Sequence, residues 1–253
     1  MTVLQVNNLH KSFGGVRAVA GVSFAVAAGE LLAMIGPNGA GKTTCFNMVN
    51  GQLAPDSGSI ELQGRSLVGK APREICRYGV ARTFQITATF GSMSVRENVQ
   101  VALLSHARML GTLFSSFEKQ FRDETNKLLE QVGLHELSDR QCAELAYGDL
   151  KRVELAMAVA SQPRLLLMDE PTAGMAAAER TDLMRLTADL ARASGIAVLF
   201  TEHDMDVVFA HADRVIVLSE GALIAQGTPA EVRADALVRQ VYLGGPDTEA
   251  GYA

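Results

Sequence analysis

The chain has 253 residues, with 28 acidic and 23 basic side chains, which gives it a net charge of −5 at neutral pH. Hydrophobic residues make up 48% and charged residues 20%, a balance that is ordinary for a globular protein and excludes a mainly disordered or collagen-like chain. The acidic excess disfavours a nucleic-acid-binding protein, and no run of lysines and arginines would hold the chain on anionic lipid.

The first 62 residues predict antiparallel strands. Apolar and polar residues partly alternate over residues 3–9 and again over residues 22–26, and Gly29 follows the second stretch. Alternation is typical of strands that bury only one face. Ile60 and Leu62 are candidates to join the same sheet.

Five short runs are apolar at almost every position and predict strands that are buried on both faces, as in a parallel sheet covered by helices. They are residues 31–35, 80–84, 165–168, 196–200 and 215–218. A helix predicted at residues 176–193 would be a crossover connection between two of them. The predicted fold class is therefore α/β, a mostly parallel sheet with antiparallel N-terminal strands beside it.

The middle of the chain is mainly helical in pattern, from about residue 92 to residue 145. In the second of two predicted helices, apolar residues recur near helical spacing at Phe117, Phe121, Leu128 and Val132. We predict an α-helical subdomain at about residues 92–149, inserted into an α/β core made of residues 1–91 and 150–253. No Ser/Gly-rich linker separates the two parts, so we expect one domain in which the helices pack on the core.

The three cysteines, Cys45, Cys76 and Cys142, are odd in number, widely spaced and without a CxxC motif. This usage predicts a reducing compartment and disfavours a zinc site. The first residues lack the apolar segment of a signal peptide, and no apolar run approaches the roughly 18 residues that a membrane-spanning helix needs. We expect a cytoplasmic protein that reaches a membrane only through another protein.

Residues 36–44 match GxxxxGK[ST] between a predicted strand and a helix that begins near Lys42, the context this phosphate-binding motif requires. Glycines let successive backbone N–H groups turn onto phosphate oxygens, and the helix N-terminus adds its positive end. Lys42 would bind the β- and γ-phosphates, and the Thr43 hydroxyl is a candidate ligand of Mg²⁺. The flanking elements disfavour the alternative of a turn that binds nothing. The predicted cradle consists of Gly36, Pro37, Asn38, Gly39, Ala40, Gly41, Lys42, Thr43 and Thr44.

Two carboxylates, Asp169 and Glu170, end the apolar run at residues 165–168. Ligands of parallel sheets bind beyond the carboxyl ends of the strands, so Asp169 is placed to hold Mg²⁺ and Glu170 to accept a proton from an attacking water or to orient it. A solvated acidic turn would be the alternative if the phosphate-binding motif were absent.

Further motifs occur along the chain. In sequence order they are KSFGGVRAV, ARTFQ, MSVRENV, LAYGD at 145–149, LLLMDEPTAGM, TEHD at 201–204 and VYLGG. With them the chain resembles the ATP-binding subunits of ABC transporters over nearly its whole length, and most nearly the branched-chain amino-acid importer type. The resemblance implies a RecA-like P-loop core, ATP as the nucleotide, and ATP hydrolysis coupled to transport.

The resemblance also implies roles for single residues. Phe13 would stack on adenine, its alternative being an ordinary buried phenylalanine. Gln85 would reach Mg²⁺ or the attacking water and touch the membrane partner, its alternative being a surface amide. His203 would contact the γ-phosphate. The signature segment, Leu145, Ala146, Tyr147, Gly148 and Asp149, would cover the ATP that a second subunit holds.

The partners implied are a second ABC subunit, identical or related, transmembrane permease subunits and, indirectly, a solute-binding protein outside the membrane. ATP would close the ATPase dimer, closure would move the permease, and hydrolysis with Glu170 would reopen it. The helix after Gly148 has an apolar face at Leu150, Val153, Met157 and Ala160, so it can pack while its N-terminus stays free for phosphate. No nucleic acid is expected among the partners.

The chain departs from the family's common LSGGQ signature at three positions. Ala146 replaces the serine hydroxyl, Tyr147 replaces a glycine, and Asp149 replaces the glutamine and adds a negative charge near the partner's ATP. In the loop after Pro171, Ala176 occupies the position where the family usually has an aspartate. We expect two unequal ATP sites if the partner is a paralogue with a fuller signature.

Two other functions remain open at this point. One is an ABC-type ATPase that acts away from membranes, which the acidic charge and the single cassette disfavour. The other is an importer of another small solute, such as urea or amides, because this subunit does not bind the solute.

Overall fold

The computed structural model describes residues 1–83, 89–107 and 121–243. Two sheets and a set of helices make up this part of the chain. The strands are β1 (Thr2–Phe13), β2 (Val16–Ala27), β3 (Leu31–Ile35), β4 (Ser57–Leu62), β5 (Arg65–Ser66), β6 (Val80–Thr83), β7 (Leu165–Asp169), β8 (Ala197–Thr201), β9 (Arg214–Ser219) and β10 (Ala222–Gly227). The helices are α1 (Lys42–Val49), α2 (Pro72–Tyr78), α3 (Val95–His106), α4 (Arg122–Gln131), α5 (Tyr147–Ala160), α6 (Ala177–Ser194), α7 (Met205–His211), α8 (Pro229–Ala234) and α9 (Ala236–Val238), with short 3₁₀ turns before α5 and a π-helical turn after α9.

The central sheet has the strand order β10-β9-β3-β8-β7-β6. Strands β9, β3, β8, β7 and β6 are parallel to one another, and among the strands of this sheet in the described ranges only β10, at its edge, is antiparallel. The predicted α/β fold with a mostly parallel sheet is therefore confirmed, and each of the five apolar runs forms one of the parallel strands. Phe84, the last residue of one predicted strand, lies outside the described residues.

Strand β3, in the middle of the central sheet, is apolar at every position because both of its faces are covered. Leu31, Ala33 and Ile35 of β3 pack into the cluster with α3, α5 and α6, while Leu32 and Met34 pack into the opposite cluster. Neighbouring side chains of a strand point to opposite faces, so a strand between two cores needs an unbroken apolar run.

The predicted antiparallel N-terminal strands form a second sheet in the order β2-β1-β4-β5. Its inward residues, such as Val6 and Phe24, share one core with Phe46 of α1 and with one face of the central sheet. Helix α1 is thus packed between the two sheets, which fixes the loop that precedes it.

The helices of the middle segment pack on the other face of the central sheet, as the lack of a linker predicts. Val99 of α3 and Leu129 of α4 belong to the same buried cluster as Val153 of α5. Within the described residues, α4 begins only after Phe121, whose φ of 57° is incompatible with a continuing helix. Phe117, which belongs to the same predicted helix, lies outside the described residues. The subdomain boundaries at about residues 92 and 149 remain a prediction.

None of the helices in the described ranges is long and apolar enough to cross a membrane. The register of the sheet brings functional segments together: Met34 of β3 and Asp169 of β7 both pair with Thr201 of β8. The loops that follow these three strands therefore lie side by side, at the edge of the sheet formed by the carboxyl ends of the parallel strands.

Candidate functional site

The loop between β3 and α1 has a backbone that requires glycine at two positions. Gly36 has a φ of 148°, and a Cβ atom placed on it would lie 2.1 Å from the carbonyl oxygen of Leu218. Gly41 has a φ of 102°, and its Cβ would lie 2.4 Å from the carbonyl oxygen of Ala18. Both distances are far below van der Waals contact, so a side chain at either position would displace a central strand or a strand of the second sheet.

Lys42 bends back over this loop. Its ammonium group donates to the carbonyl oxygens of Gly36 at 2.6 Å and Pro37 at 3.1 Å, and the residue is only 8% exposed. Burial lowers the pKa of Lys42, while the nearby carboxylates of Glu170 and Asp169 act in the opposite direction. The loop therefore holds a desolvated cation whose charge would act strongly on a bound anion.

The N-terminus of α1 completes a cradle that fits phosphate. The helix has no acidic residue in its first turn, so its positive end is not neutralised by its own sequence. Thr43 is exposed at the start of this helix. The predicted residues 36–44 are thus brought together as a loop and a helix N-terminus.

Strand β7 ends at Asp169, and both oxygens of this carboxylate are hydrogen-bonded. The Thr201 hydroxyl donates to Oδ1 at 2.8 Å, and the Arg82 guanidinium donates to Oδ2 at 3.0 Å. Each oxygen keeps a further lone pair for a ligand. Asp169 is therefore fixed in orientation by two neighbouring strands.

Glu170 adopts a φ of 49°, which is uncommon for a residue with a side chain. Its backbone N–H donates to the Thr201 carbonyl oxygen at 3.1 Å, and its side-chain Oε1 lies 2.9 Å from Nε2 of His203. The acidic strand end predicts Glu170 beside the terminal phosphate, and the family resemblance implies the same place for His203. The structure brings the two side chains into direct contact.

The donor set at this edge fits Mg²⁺. Asp169 and the Thr43 hydroxyl offer oxygen atoms, the ligands that Mg²⁺ prefers, and Mg²⁺ usually binds through one or two protein oxygens together with substrate phosphates. The described part of the chain contains no group of three or more His, Cys, Asp or Glu residues placed to hold a metal by themselves. Such a site would be completed by the nucleotide.

Arg82 is a residue of this site that sequence reasoning missed. Besides Asp169, its guanidinium contacts Oδ1 of Asn47 at 3.1 Å and Oε1 of Gln52 at 3.2 Å. It thereby joins α1 and β7 from the strand that leads towards Gln85, which itself lies outside the described residues. The only signal in the sequence was a charged residue inside a run predicted to be a buried strand.

Replacing Arg82 with methionine should destabilise the protein. The change leaves the half-buried Asp169 carboxylate without its cationic donor, and hydrogen bonds to charged groups contribute about 1.5–3 kcal/mol each. We expect a loss of unfolding free energy of about that size in denaturant titrations. Arg73→Met, at an exposed position, is the control, and an Arg82→Met variant as stable as this control would contradict the role.

Phe13 is not a core residue, so the alternative of an ordinary buried phenylalanine is wrong. It lies at the end of β1, is 50% exposed, and has its ring centroid 5.6 Å from the Lys11 ammonium. An exposed ring is available for stacking on a planar group.

The signature segment leads into α5, which begins at Tyr147 rather than after Gly148. Tyr147 is 40% exposed, and its ring centroid lies 5.5 Å from the Lys151 ammonium. Ala146 is the N-cap and provides no side-chain hydrogen bond, while Asp149 lies in the first turn. The predicted apolar face is confirmed: Val153 and Ala160 are buried, and Leu150 and Met157 pack against the same cluster.

Two family profiles match the sequence. One, described as ABC transporter, matches residues 19–173, and another, described as branched-chain amino acid ATP-binding cassette transporter, matches residues 222–248.

Characterised relatives and solved structures are similar over nearly the whole chain. The high-affinity branched-chain amino acid transport ATP-binding protein LivG of Salmonella typhimurium is 41% identical, covering 96% of this chain and 98% of its own length. The corresponding protein BraF of Pseudomonas aeruginosa is 39% identical with the same coverage. A nucleotide-free ATP-binding cassette of an ABC transporter has a TM-score of 0.82 at 31% identity, and another in its ADP conformation has 0.83 at 33%, each covering 97% of this chain and 100% of the solved chain.

Proposed function

The chain belongs to the ABC transporter family of ATP-binding cassettes, and from this we propose that it is the ATP-hydrolysing subunit of an importer for branched-chain amino acids. The observation that carries the proposal is the contact of His203 with Glu170, 2.9 Å apart, at the sheet edge where Lys42 holds its charge over the phosphate-binding loop. The solute class rests on the relatives, whose names state branched-chain amino acid transport.

Binding of the triphosphate would use the loop and helix N-terminus of residues 36–44. The ammonium of Lys42 would exchange its bonds to carbonyl oxygens for bonds to the β- and γ-phosphates, which carry more negative charge. Thr43 and Asp169, with Gln85, would hold Mg²⁺, which supplies positive charge to the terminal phosphates when bound.

Hydrolysis would use the Glu170–His203 pair. Water attacks the γ-phosphorus while the bond to the ADP oxygen breaks, and Glu170 takes a proton from that water or orients it. His203 would donate a hydrogen bond to the γ-phosphate. Its contact with Glu170 keeps the two side chains together where the terminal phosphate would lie. Phe13 would stack on the adenine, a contact worth about 1–3 kcal/mol per base.

The signature, residues 145–149, would cover ATP held by a second ABC subunit. ATP-driven closure of the pair would then move transmembrane permease subunits, which would hold this chain at the cytoplasmic face of the membrane. A solute-binding protein on the other side would deliver the amino acid to the permease.

Solute uptake in cells that lack this chain tests the proposal. We expect uptake of radiolabelled leucine to fall to background and to return with the intact gene, because the permease cannot cycle without its ATPase. Urea and acetamide uptake are measured in parallel. Loss of urea or amide uptake with normal leucine uptake would identify another solute, and no effect on any uptake would favour an ATPase that acts away from membranes.

A further inference from the structure

A buried carboxylate, Glu202, lies beside the catalytic edge and has no role in the reaction described above. It follows the last residue of β8 directly, precedes His203, and is only 3% exposed. A buried carboxylate is costly unless hydrogen bonds satisfy its oxygens, so its partners indicate what holds it there.

Both oxygens of Glu202 are hydrogen-bonded within the described structure. Oε1 accepts from the Thr172 backbone N–H at 2.9 Å and from the Thr172 hydroxyl at 2.7 Å, and Oε2 accepts from the His203 N–H at 3.3 Å. Thr172 is itself buried. One carboxylate therefore joins the segment that follows Glu170 to the backbone of the histidine.

Glu202 is the middle member of three consecutive residues that bind the end of β7 or the segment that follows it. Thr201 binds Asp169 and the N–H of Glu170, Glu202 binds Thr172, and His203 binds the Glu170 side chain. Because the neighbours on both sides contact the reacting groups, a shift at Glu202 would move both of them. Groups held in one hydrogen-bonded network are coupled in this way.

The segment held by Glu202 also lies close to the signature. Its turn is closed by a bond from the Met175 N–H to the Thr172 carbonyl oxygen, and Gly174 has a φ of 79°. A Cβ placed on Gly174 would lie 3.6 Å from the ring of Tyr147. The loop thus connects the acidic strand to the surface that would face the second subunit.

We propose that Glu202 is a positioning residue: by binding Thr172 and the His203 backbone, it fixes the loop of residues 171–175 and holds His203 against Glu170. Its carboxylate is buried and bonded to protein groups, so it would act through Thr172 and His203 rather than on the reacting atoms, and the proposal rests on the ATPase function proposed above. Misplacement of reacting groups by about 1 Å can cost about a hundredfold in rate, so the position of this loop matters for turnover more than for binding.

Hydrogen–deuterium exchange tests the loop without using activity. In Glu202→Ala, and in Thr172→Val, we expect a peptide covering residues 171–175 to exchange about tenfold faster or more, because amides in a loosened segment open more often. The peptide over residues 36–44 should exchange at the wild-type rate. Unchanged exchange of residues 171–175 in both variants would overturn the proposal, whether or not the protein hydrolyses ATP.

Kinetics then separate positioning from folding. We expect Glu202→Ala to lower kcat about tenfold or more while ATP affinity changes by less than twofold. Glu202→Gln, which keeps one acceptor for Thr172 but turns an N–H₂ group towards the His203 N–H, should fall between this variant and the wild type. Thr172→Ser, which keeps the hydroxyl, should restore most of the turnover lost in Thr172→Val. Glu130→Gln, exposed on α4, is the matched control.

The pair Glu202→Ala and Thr172→Val completes the design as a double-mutant cycle. If the two side chains act through one contact, the double variant should lose no more turnover than Glu202→Ala alone. Fully additive losses, or equal falls in kcat and ATP affinity, would overturn the positioning role. A wild-type protein that neither binds nor hydrolyses ATP would instead contradict the proposed function, and the exchange experiment would still decide the loop.

Discussion

Glu170→Gln is expected to lower ATP turnover by about 10²–10⁴-fold, the range that a general acid or base contributes. Glutamine has nearly the same shape and can keep a polar contact with His203, now 2.9 Å from Oε1, but it cannot accept a proton from water. The phosphate cradle is on a different loop, so ATP should still bind. Steady-state ATPase assays and equilibrium binding of a fluorescent ATP analogue measure the two effects separately.

The exposed control Glu130→Gln should keep wild-type turnover in the same assays. A Glu170→Gln protein that hydrolyses ATP at the wild-type rate would remove Glu170 from its proposed role. A variant that no longer binds ATP would show that this carboxylate shapes the cradle rather than the reaction. Trapped ATP should also favour the closed pair of subunits, which size-exclusion chromatography can detect.

The parallel strands were predictable because a strand with a hydrophobic core on each face is an unbroken apolar run in the sequence. Every position of Leu31–Ile35 must be apolar when alternate side chains enter different clusters, and the other parallel strands are apolar over most of their length for the same reason. The phosphate loop was equally visible, because Gly36 and Gly41 are required by the close approach of the Leu218 and Ala18 carbonyl oxygens.

The contacts between distant residues were not predictable. Arg82 lies 87 positions from Asp169, and Glu202 lies 30 positions from Thr172, yet each pair is hydrogen-bonded. Periodicity and motif spacing describe local structure, whereas these pairs depend on which strands become neighbours in the sheet. Only strand order places β6 and β8 on either side of β7.

The structure shows a second acidic side chain beside the signature segment, in addition to Asp149. A Cβ placed on Gly148 would lie 2.8 Å from Oε1 of Glu179, so a second carboxylate lies against the segment that already carries Asp149. Two negative charges near a helix N-terminus compete with an incoming phosphate for the same positive end. This supports the expectation of two unequal ATP sites if the partner is a paralogue with a fuller signature.

Lys42→Ala is expected to weaken ATP binding at least about thirtyfold, because truncating one partner of a desolvated charged pair costs about 2–5 kcal/mol. The side chain is buried and held over the loop by its bond to the Gly36 carbonyl oxygen, so little entropy is lost when it binds phosphate. Turnover should fall with affinity, since the same charge would act on the developing transition state. Binding titrations with Mg²⁺ and ATP provide the measurement.

Thermal unfolding distinguishes this loss from misfolding. A ligand raises the melting temperature by binding only the folded protein, so the shift caused by Mg²⁺ and ATP should disappear in Lys42→Ala while the melting temperature without nucleotide changes little. The exposed control Lys127→Ala should keep the full shift. Because every step of the proposed function begins with capture of the triphosphate by residues 36–44, an unchanged ATP affinity in Lys42→Ala would contradict the phosphate-binding role of the loop and, with it, the placement of Asp169 and Glu170 in the reaction.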